Sequence, residues 1–306
     1  MPRYSHVQQV AEQTKKPDWL RVKSATGQNP DRIRAILRAH NLHTVCEEAH
    51  CPNVGECWGG GTATFMLMGD ICTRGCRFCM VNSGNPNGRL DLFEPVKIAT
   101  AVADLGLKYV VITSVDRDDL PDGGAEHFAS TIRAIKTHDP NVVTEVLIPD
   151  FRADVTCIRR IVDARPEVIA HNIETTATLT PKIRDPRATY KQSLQVLETI
   201  KRLNQEVYSK SSIMLGLGET EEDLVRTMRD LREVNVDILT LGQYLRPSKG
   251  HIPVVEYVSV RRFEYYKEIA EEMGFMYVAS GPLVRSSYRA AEFFVEALIR
   301  QKRAEC

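Results

Sequence analysis

Short, continuously apolar runs alternate along this chain with longer stretches in which apolar residues recur every three or four positions. Thr64-Phe-Met-Leu-Met-Gly69 is the first such run, and its length and continuity predict a strand buried on both faces. A helix predicted from about Glu94 to Leu105 ends at Gly106, and Lys108-Tyr-Val-Val-Ile-Thr-Ser114 reads as the next strand. The rhythm then repeats. Helix Gly124 to Lys136 precedes strand Val142 to Ile148, helix Asp154 to Ala164 precedes strand Val168 to Ile173, and helix Ala188 to Leu203 precedes strand Ser211 to Leu217. Helix Thr220 to Val234 leads to strand Asp237 to Gln243, and helix Ser259 to Met273 to a short strand at Phe275 to Ala279. Strands and helices alternating at this spacing form parallel βαβ units with right-handed crossovers. The six strands from residue 64 to Gln243, with the short run at 275–279 after them, predict an α/β fold, a partial (β/α)6 TIM-like barrel two strands short of a closed one.

The segments outside this rhythm are expected to cover the open side. Asn29-Pro30-Asp31 predicts a helix start, with Asn29 as cap and Ile33, Ile36 and Leu37 on one apolar face. Before it, Lys16-Pro17-Asp18-Trp19-Leu20 reads as an extended strap anchored by a buried tryptophan. The expected division is an N-terminal extension over residues 1–60, a barrel over 61–280 and a C-terminal extension over 281–306.

Charge changes the picture by exclusion. Lys and Arg total 40, as do Asp and Glu, so no excess of positive charge favours nucleic acid. The first sixteen residues lack an apolar core and no run is long enough to span a membrane, which predicts a soluble, cytoplasmic protein. Of the eight cysteines, six fall between residues 46 and 79. Such crowding reads as a ligand set in a reducing compartment rather than a disulfide framework. Cys157 reads as a small buried apolar residue.

The chemistry is concentrated in Cys72-Thr-Arg-Gly-Cys76-Arg-Phe-Cys79. Three thiolates within eight residues, with Gly75 allowing a tight fold, can converge on one inorganic centre. A four-iron cube has four corners, so three local cysteines leave one iron open to a ligand that is not protein. A second triplet, Cys46, Cys51 and Cys57, lies upstream. Its spacing suits neither a zinc knuckle nor a helical metal face, although His50 offers a fourth ligand for a Cys3His zinc site. At the carboxyl ends of the strands, where barrel enzymes collect their chemistry, stand Thr113, the turn Asp122-Gly123-Gly124, and Asn172 and Glu174 on one side of the fourth strand. Arg184 follows and can pair with a carboxylate, and Met214-Leu-Gly-Leu-Gly-Glu219 makes a glycine-rich turn into the next helix.

The Cys72–Cys79 loop resembles the signature of the radical S-adenosylmethionine (SAM) enzymes. Several motifs together resemble one family among them: Leu42-His-Thr-Val-Cys-Glu-Glu-Ala, Cys51-Pro-Asn, Gly55-Glu-Cys-Trp58, Asp118-Asp-Leu-Pro-Asp-Gly-Gly-Ala125, His171-Asn-Ile-Glu-Thr175 and Arg285-Ser-Ser-Tyr288. These are similar to the lipoyl synthases from Lys16 to Tyr288. The resemblance implies a sulfurtransferase that inserts two sulfur atoms at C6 and C8 of a protein-bound octanoyl chain, using two [4Fe–4S] clusters and SAM. Cys72, Cys76 and Cys79 would hold the SAM-cleaving cluster. Cys46, Cys51 and Cys57 would hold an auxiliary cluster that donates sulfur, with Ser287, or its neighbour Ser286, as fourth ligand. Thr113, Asp122, Gly123, Asn172, Glu174 and Arg184 are the expected SAM contacts. Implied partners are an octanoylated lipoyl carrier domain (glycine-cleavage H protein or 2-oxoacid dehydrogenase E2), an electron donor such as flavodoxin or ferredoxin, and an iron–sulfur carrier that rebuilds the spent cluster. Competing readings are another sulfur-inserting radical SAM enzyme, like biotin synthase or a methylthiotransferase, and a non-catalytic iron–sulfur or zinc protein.

Overall fold

In the computed structural model, residues 16–20, 28–48, 51, 53–59 and 64–286 are described. Helix α1 (Gln28–His40) leads to β1 (His43–Thr44), α2 (Val45–Glu48) and α3 (Val54–Gly59). The first interior strand, β2 (Thr64–Leu67), runs into a loop that carries the short pair β3 (Ile71–Cys72) and β4 (Asn82–Ser83). The repeating part follows as α4 (Glu94–Leu105), β5 (Tyr109–Ser114), α5 (Ala125–His138), β6 (Val143–Leu147), α6 (Val155–Asp163) and β7 (Val168–Ala170). It continues through α7 (Thr180–Ile183), α8 (Tyr190–Leu203), β8 (Tyr208–Leu215), α9 (Glu221–Glu233), β9 (Ile238–Gln243), α10 (Val260–Glu272) and β10 (Tyr277–Gly281).

The sheet order β1-β2-β5-β6-β7-β8-β9-β10 is the sequence order, and every pairing is parallel except that of β1 with β2. Among the described residues the main sheet holds the six strands expected of the partial barrel and a seventh parallel strand. The short run at 275–279 is a full member, shifted to Tyr277–Gly281 and paired over five residues with Ile238–Gly242. The N-terminal segment adds an eighth strand, because β1 lies antiparallel on the outer edge of β2. The tryptophan anchor of the strap is corrected: Trp19 is 47 % exposed, and its neighbour Leu20 is the fully buried residue.

Helix ends follow their local chemistry. Gly106 closes α4 in the left-handed conformation that glycine adopts without strain. Asp154, Thr189, Thr220 and Ser259 cap α6, α8, α9 and α10 with side-chain oxygens that accept backbone N–H groups. Strand alternation divides the core. Ile213 and Leu215 of β8 face Leu224, Met228 and Leu231 of α9, so Lys210, Ser212 and Met214 turn to the other side, the inside of the curved sheet. There Tyr109, Val111, Val143, Val168, Tyr208 and Ile238 form an inner apolar plug.

Next to this plug lies a buried ion pair. Lys210 Nζ donates to Glu145 Oε1 at 2.6 Å, and Tyr109 Oη donates to the other carboxylate oxygen at 2.5 Å. Both charged side chains are 2 % exposed. Removing one partner strands the other in an apolar interior, so Lys210→Met is expected to cost about 3–5 kcal/mol by chemical denaturation. Replacing both with apolar residues is expected to recover most of that loss. A single variant as stable as the parent would refute the pairing.

Candidate active site

The loop after β2 is bound to three neighbouring strand ends through its own side chains. Arg74, between the first two cysteines of the loop, is 4 % exposed. Its guanidinium donates from Nε and Nη2 to Asp118 at 2.9 and 3.0 Å, and from Nη1 and Nη2 to Asp150 at 2.5 and 2.8 Å. Asp118 follows β5 and Asp150 follows β6, so one cation ties the cysteine loop to two strands. Thr73 Oγ1 donates to Asp118 and to the Asp116 carbonyl, both at 2.9 Å. On the other side, Gly75 N donates to Asp185 Oδ2 at 2.9 Å, and Arg187 Nη2 reaches the Thr73 carbonyl at 2.7 Å. Burial alone would raise the Asp150 carboxyl, but its bonds to Arg74 override that and hold it at about 2. Arg74→Met would leave two buried carboxylates short of a cation, and is expected to cost about 3–5 kcal/mol of stability. It is also expected to speed chelator removal of iron from the loop; unchanged stability and iron retention would sink the clamp.

Held in this way, the three thiols face the strand ends. Cys72 Sγ accepts from the backbone N–H groups of Arg74 and Asp116, both at 3.4 Å, and Cys76 Sγ accepts from Asp185 N at 3.3 Å. Burial pushes Cys72 and Cys79 up to about 11 and Cys76 to about 12. Without a metal they are therefore protonated at neutral pH, and a metal centre must displace their protons on binding.

Around them lies a set of buried polar groups with unmet bonding capacity. Asn172 Nδ2 donates to Glu174 Oε1 at 3.1 Å while Asn172 Oδ1 has no partner. Glu174 sits at φ +68, off the regular path of β7, bridged to Ile213. A non-glycine residue in that conformation is strained and recurs at functional sites. Burial raises its carboxyl, opposed by the charge of Arg184. Arg184 is 7 % exposed; its Nη1 donates to Ser193 Oγ at 2.7 Å, and its Nε has no partner. Ser193 Oγ in turn lies 2.9 Å from His171 Nε2, and His171 Nδ1 is 2.9 Å from the Ile148 carbonyl. Burial holds this imidazole down at about 4. It is neutral, with Nδ1–H donating to Ile148 and Nε2 accepting from Ser193, which sets the hydroxyl to receive Arg184. Ser114 Oγ, Thr175 Oγ1 and Thr176 Oγ1 are likewise buried and unpartnered. So many orphaned groups at the mouth of one sheet are what a polar ligand would satisfy.

The expected contacts fall into two groups. Asn172, Glu174 and Arg184 converge on the thiols: Glu174 and Arg184 act electrostatically on Cys76, and Glu174 on Cys79. Thr113 Oγ1 donates to the Leu147 carbonyl at 3.0 Å and is nearly buried. Asp122 is occupied locally: it accepts from Gly124 N and Glu126 N and pairs with Arg160 at 3.1 Å, capping α5. Gly123 and Gly124 serve packing, since a Cβ on Gly124 would come within 2.2 Å of the Met68 sulfur. In the glycine-rich turn, Glu219 accepts from Gly216 N and Leu217 N at 2.6 and 2.9 Å, and Thr220 caps the helix. Sequence reasoning missed Arg74, Asp116, Asp118, Asp150, Asp185 and Arg187. A carboxylate just past each strand end was the available signal.

The second triplet is anchored within its own segment. Cys46 is buried in α2, Cys51 N donates to the Cys46 carbonyl at 3.1 Å, and Cys57 N to the Asn53 carbonyl at 2.9 Å. The buried indole N–H of Trp58 has no hydrogen-bond partner and lies near enough to the Cys46 sulfur to favour its thiolate against the stronger effect of burial. Arg285, close to the C-terminal limit of the described residues, exerts the same influence on Cys51. His50 and Ser287 lie outside the described residues. Glu48 is half-buried, its Oε1 3.4 Å from His43 Nδ1.

Ligand chemistry bears on which metal group suits these residues. Among the described residues, the set of His, Cys, Asp and Glu ligand atoms found within 4.8 Å of one another is His43, Glu48 and Asp70. Tetrahedral zinc, with Zn–S bonds of about 2.3 Å, would hold its sulfurs about 3.8 Å apart, and neither cysteine triplet closes to that spacing. Three cysteine thiols in each segment are the ligand type that iron–sulfur clusters take.

Comparison with known proteins agrees. Residues 66–231 match the family model of the radical SAM superfamily, and residues 3–51 match that of the N-terminal domain of lipoyl synthase of the radical SAM family. The chain is 54% identical over 296 residues to the lipoyl synthase of Myxococcus xanthus, covering 97% of this chain and 99% of that one. It is 55% identical over 285 residues to that of Thermus thermophilus, covering 93% and 88%. Among solved structures, methylornithine synthase aligns with a TM-score of 0.54 at 14% identity, covering 88% of this chain and 86% of that one, a likeness of fold alone.

Proposed function

The chain belongs to the lipoyl synthase family of radical SAM enzymes, and from that premise we propose that its two cysteine triplets divide one sulfurtransferase reaction between them. The substrate is an octanoyl chain on a lysine of a lipoyl carrier domain, and sulfur enters at C6 and C8. Cys72, Cys76 and Cys79 hold the [4Fe–4S] cluster that binds SAM; Cys46, Cys51 and Cys57 hold a second [4Fe–4S] cluster, with Ser287 as fourth ligand. When bound, the first cluster and SAM supply a carbon-centred radical able to take hydrogen from an unactivated C–H bond, and the second supplies sulfur.

The protein's own part is binding, orientation and exclusion of water. The clamp on Arg74 fixes the loop, so the three sulfurs hold their spacing while the open corner faces the interior. The unmet polar atoms of Asn172, Arg184, Thr175 and Ser114 suit the hydroxyls, amino group and carboxylate of SAM. Glu174, with Arg184 beside it, accepts from ribose hydroxyls. Burial of this shell keeps out solvent that would quench a radical. Electrons come from a small carrier such as flavodoxin or ferredoxin, and an iron–sulfur carrier restores the consumed cluster.

The observation that carries this reading is the clamped Cys72–Cys79 loop facing buried polar atoms that lack partners. Its test is mass spectrometry of an octanoyl-lysine peptide after anaerobic incubation with reductant and SAM. The expected product carries two sulfur atoms and appears only with the iron-loaded protein. SAM consumption with no sulfur in the peptide would point instead to another member of the superfamily.

A further inference from the structure

Asn53 sits where three parts of the second cysteine site meet. Its carbonyl accepts from Cys57 N at 2.9 Å, and next to it Val54 N donates to the Cys51 carbonyl at 3.4 Å. Its side chain, 3 % exposed, donates from Nδ2 to the Leu283 carbonyl at 2.7 Å across 230 residues of chain. Leu283 lies two residues before Arg285 and four before Ser287. The far side of the same segment is fitted to the sheet: Val284 N turns back to the Gly281 carbonyl at 3.1 Å. A Cβ on Gly242 of β9 would come within 2.1 Å of the Val284 carbonyl oxygen. The segment is thus gripped between a side chain that must donate a hydrogen bond and a strand position that must lack a side chain.

We infer that Asn53 is a positioning residue, a latch that sets the C-terminal segment against Cys46, Cys51 and Cys57 so that a side chain from that segment completes the coordination of the auxiliary cluster. The inference rests on the two-cluster reading above. It adds that closure of the fourth corner is governed from within the cysteine loop itself. Breaking the Asn53 bond leaves the segment held from the sheet side alone, whereas each cysteine keeps its own backbone anchor.

The test uses the full chain with Cys72, Cys76 and Cys79 changed to alanine, so that only the auxiliary site takes iron. Asn53→Asp keeps the shape but replaces the donor with an acceptor facing the Leu283 carbonyl. Iron per chain, the rate of iron loss to a chelator, and the electron paramagnetic resonance spectrum after mild oxidation are read with and without the substitution. Expected are an iron loss at least about tenfold faster and a three-iron signal from a cube that has shed its loosely held corner. Gly242→Ala, which displaces the same segment from its other side, is expected to reproduce both changes should Asn53→Asp fold poorly. Retention and spectrum equal to the parent in both variants overturn the latch alone. A parent that takes up no four-iron cluster at this site overturns the two-cluster reading and the latch with it.

Discussion

Changing Cys76 to alanine is expected to abolish reductive cleavage of SAM, lowering 5′-deoxyadenosine formation by at least about a thousandfold, the scale on which removal of one member of a cooperating catalytic set is felt. Cys76 is the middle ligand of its loop and receives Asp185 N at 3.3 Å, while Asp185 also receives Gly75 N and Arg187. The sulfur thus sits in a frame fixed by Asp185 and its partners. Two thiolates cannot hold a cube and leave one corner open to SAM, so loss of any one ligand removes the site rather than weakening it. Iron at the other triplet is expected to persist at about four per chain, because its anchors lie on α2, α3 and the segment near Leu283. Anaerobic turnover with quantified nucleoside checks the first point and iron analysis the second. Nucleoside release within tenfold of the parent would place the SAM-cleaving centre elsewhere.

The complementary variant, Cys51→Ala, is expected to separate the two halves of the reaction. SAM cleavage should stay within a fewfold of the parent, and incorporation of sulfur into the octanoyl peptide should fall below detection. Arg74 meets Asp118 and Asp150, and Asp185 meets Gly75 and Arg187. None of those bonds involves Cys46, Cys51 or Cys57, so the SAM-cleaving loop keeps its geometry when the auxiliary triplet is cut. The readout is the ratio of 5′-deoxyadenosine to sulfur inserted in one anaerobic assay. If cleavage and insertion fell together, with no iron left on the Cys72 loop, the triplets would form one interdependent unit and the division of roles would be lost.

Much of this architecture is legible from residue order. Apolar runs mark the strands, and end signals such as Gly106 and Ser259 place helix limits within one or two residues of those observed. Those signals act locally. What could not be read depends on meetings in space. Arg74 reads as one more loop arginine until the fold brings Asp118 and Asp150 to its two sides. Asp122 looked available because it stands at a strand end, and local turn chemistry claims it for α5. In the strap, Trp19 and Leu20 are adjacent and both apolar, and only packing decides which one turns inward. The edge strand β1 is two residues long, too short for alternation to register. The crowding of the cysteines is legible for the opposite reason: spacing along the chain is a property of sequence alone and needs no fold to be seen.

The bond from Asn53 to Leu283 also bears on the order of folding. Every parallel strand of the sheet lies in the 230 residues between the two ends of this bond. Loop-closure entropy makes so distant a contact costly until the strands have paired and brought its ends together, so the compartment proposed for the second cluster is completed late in folding.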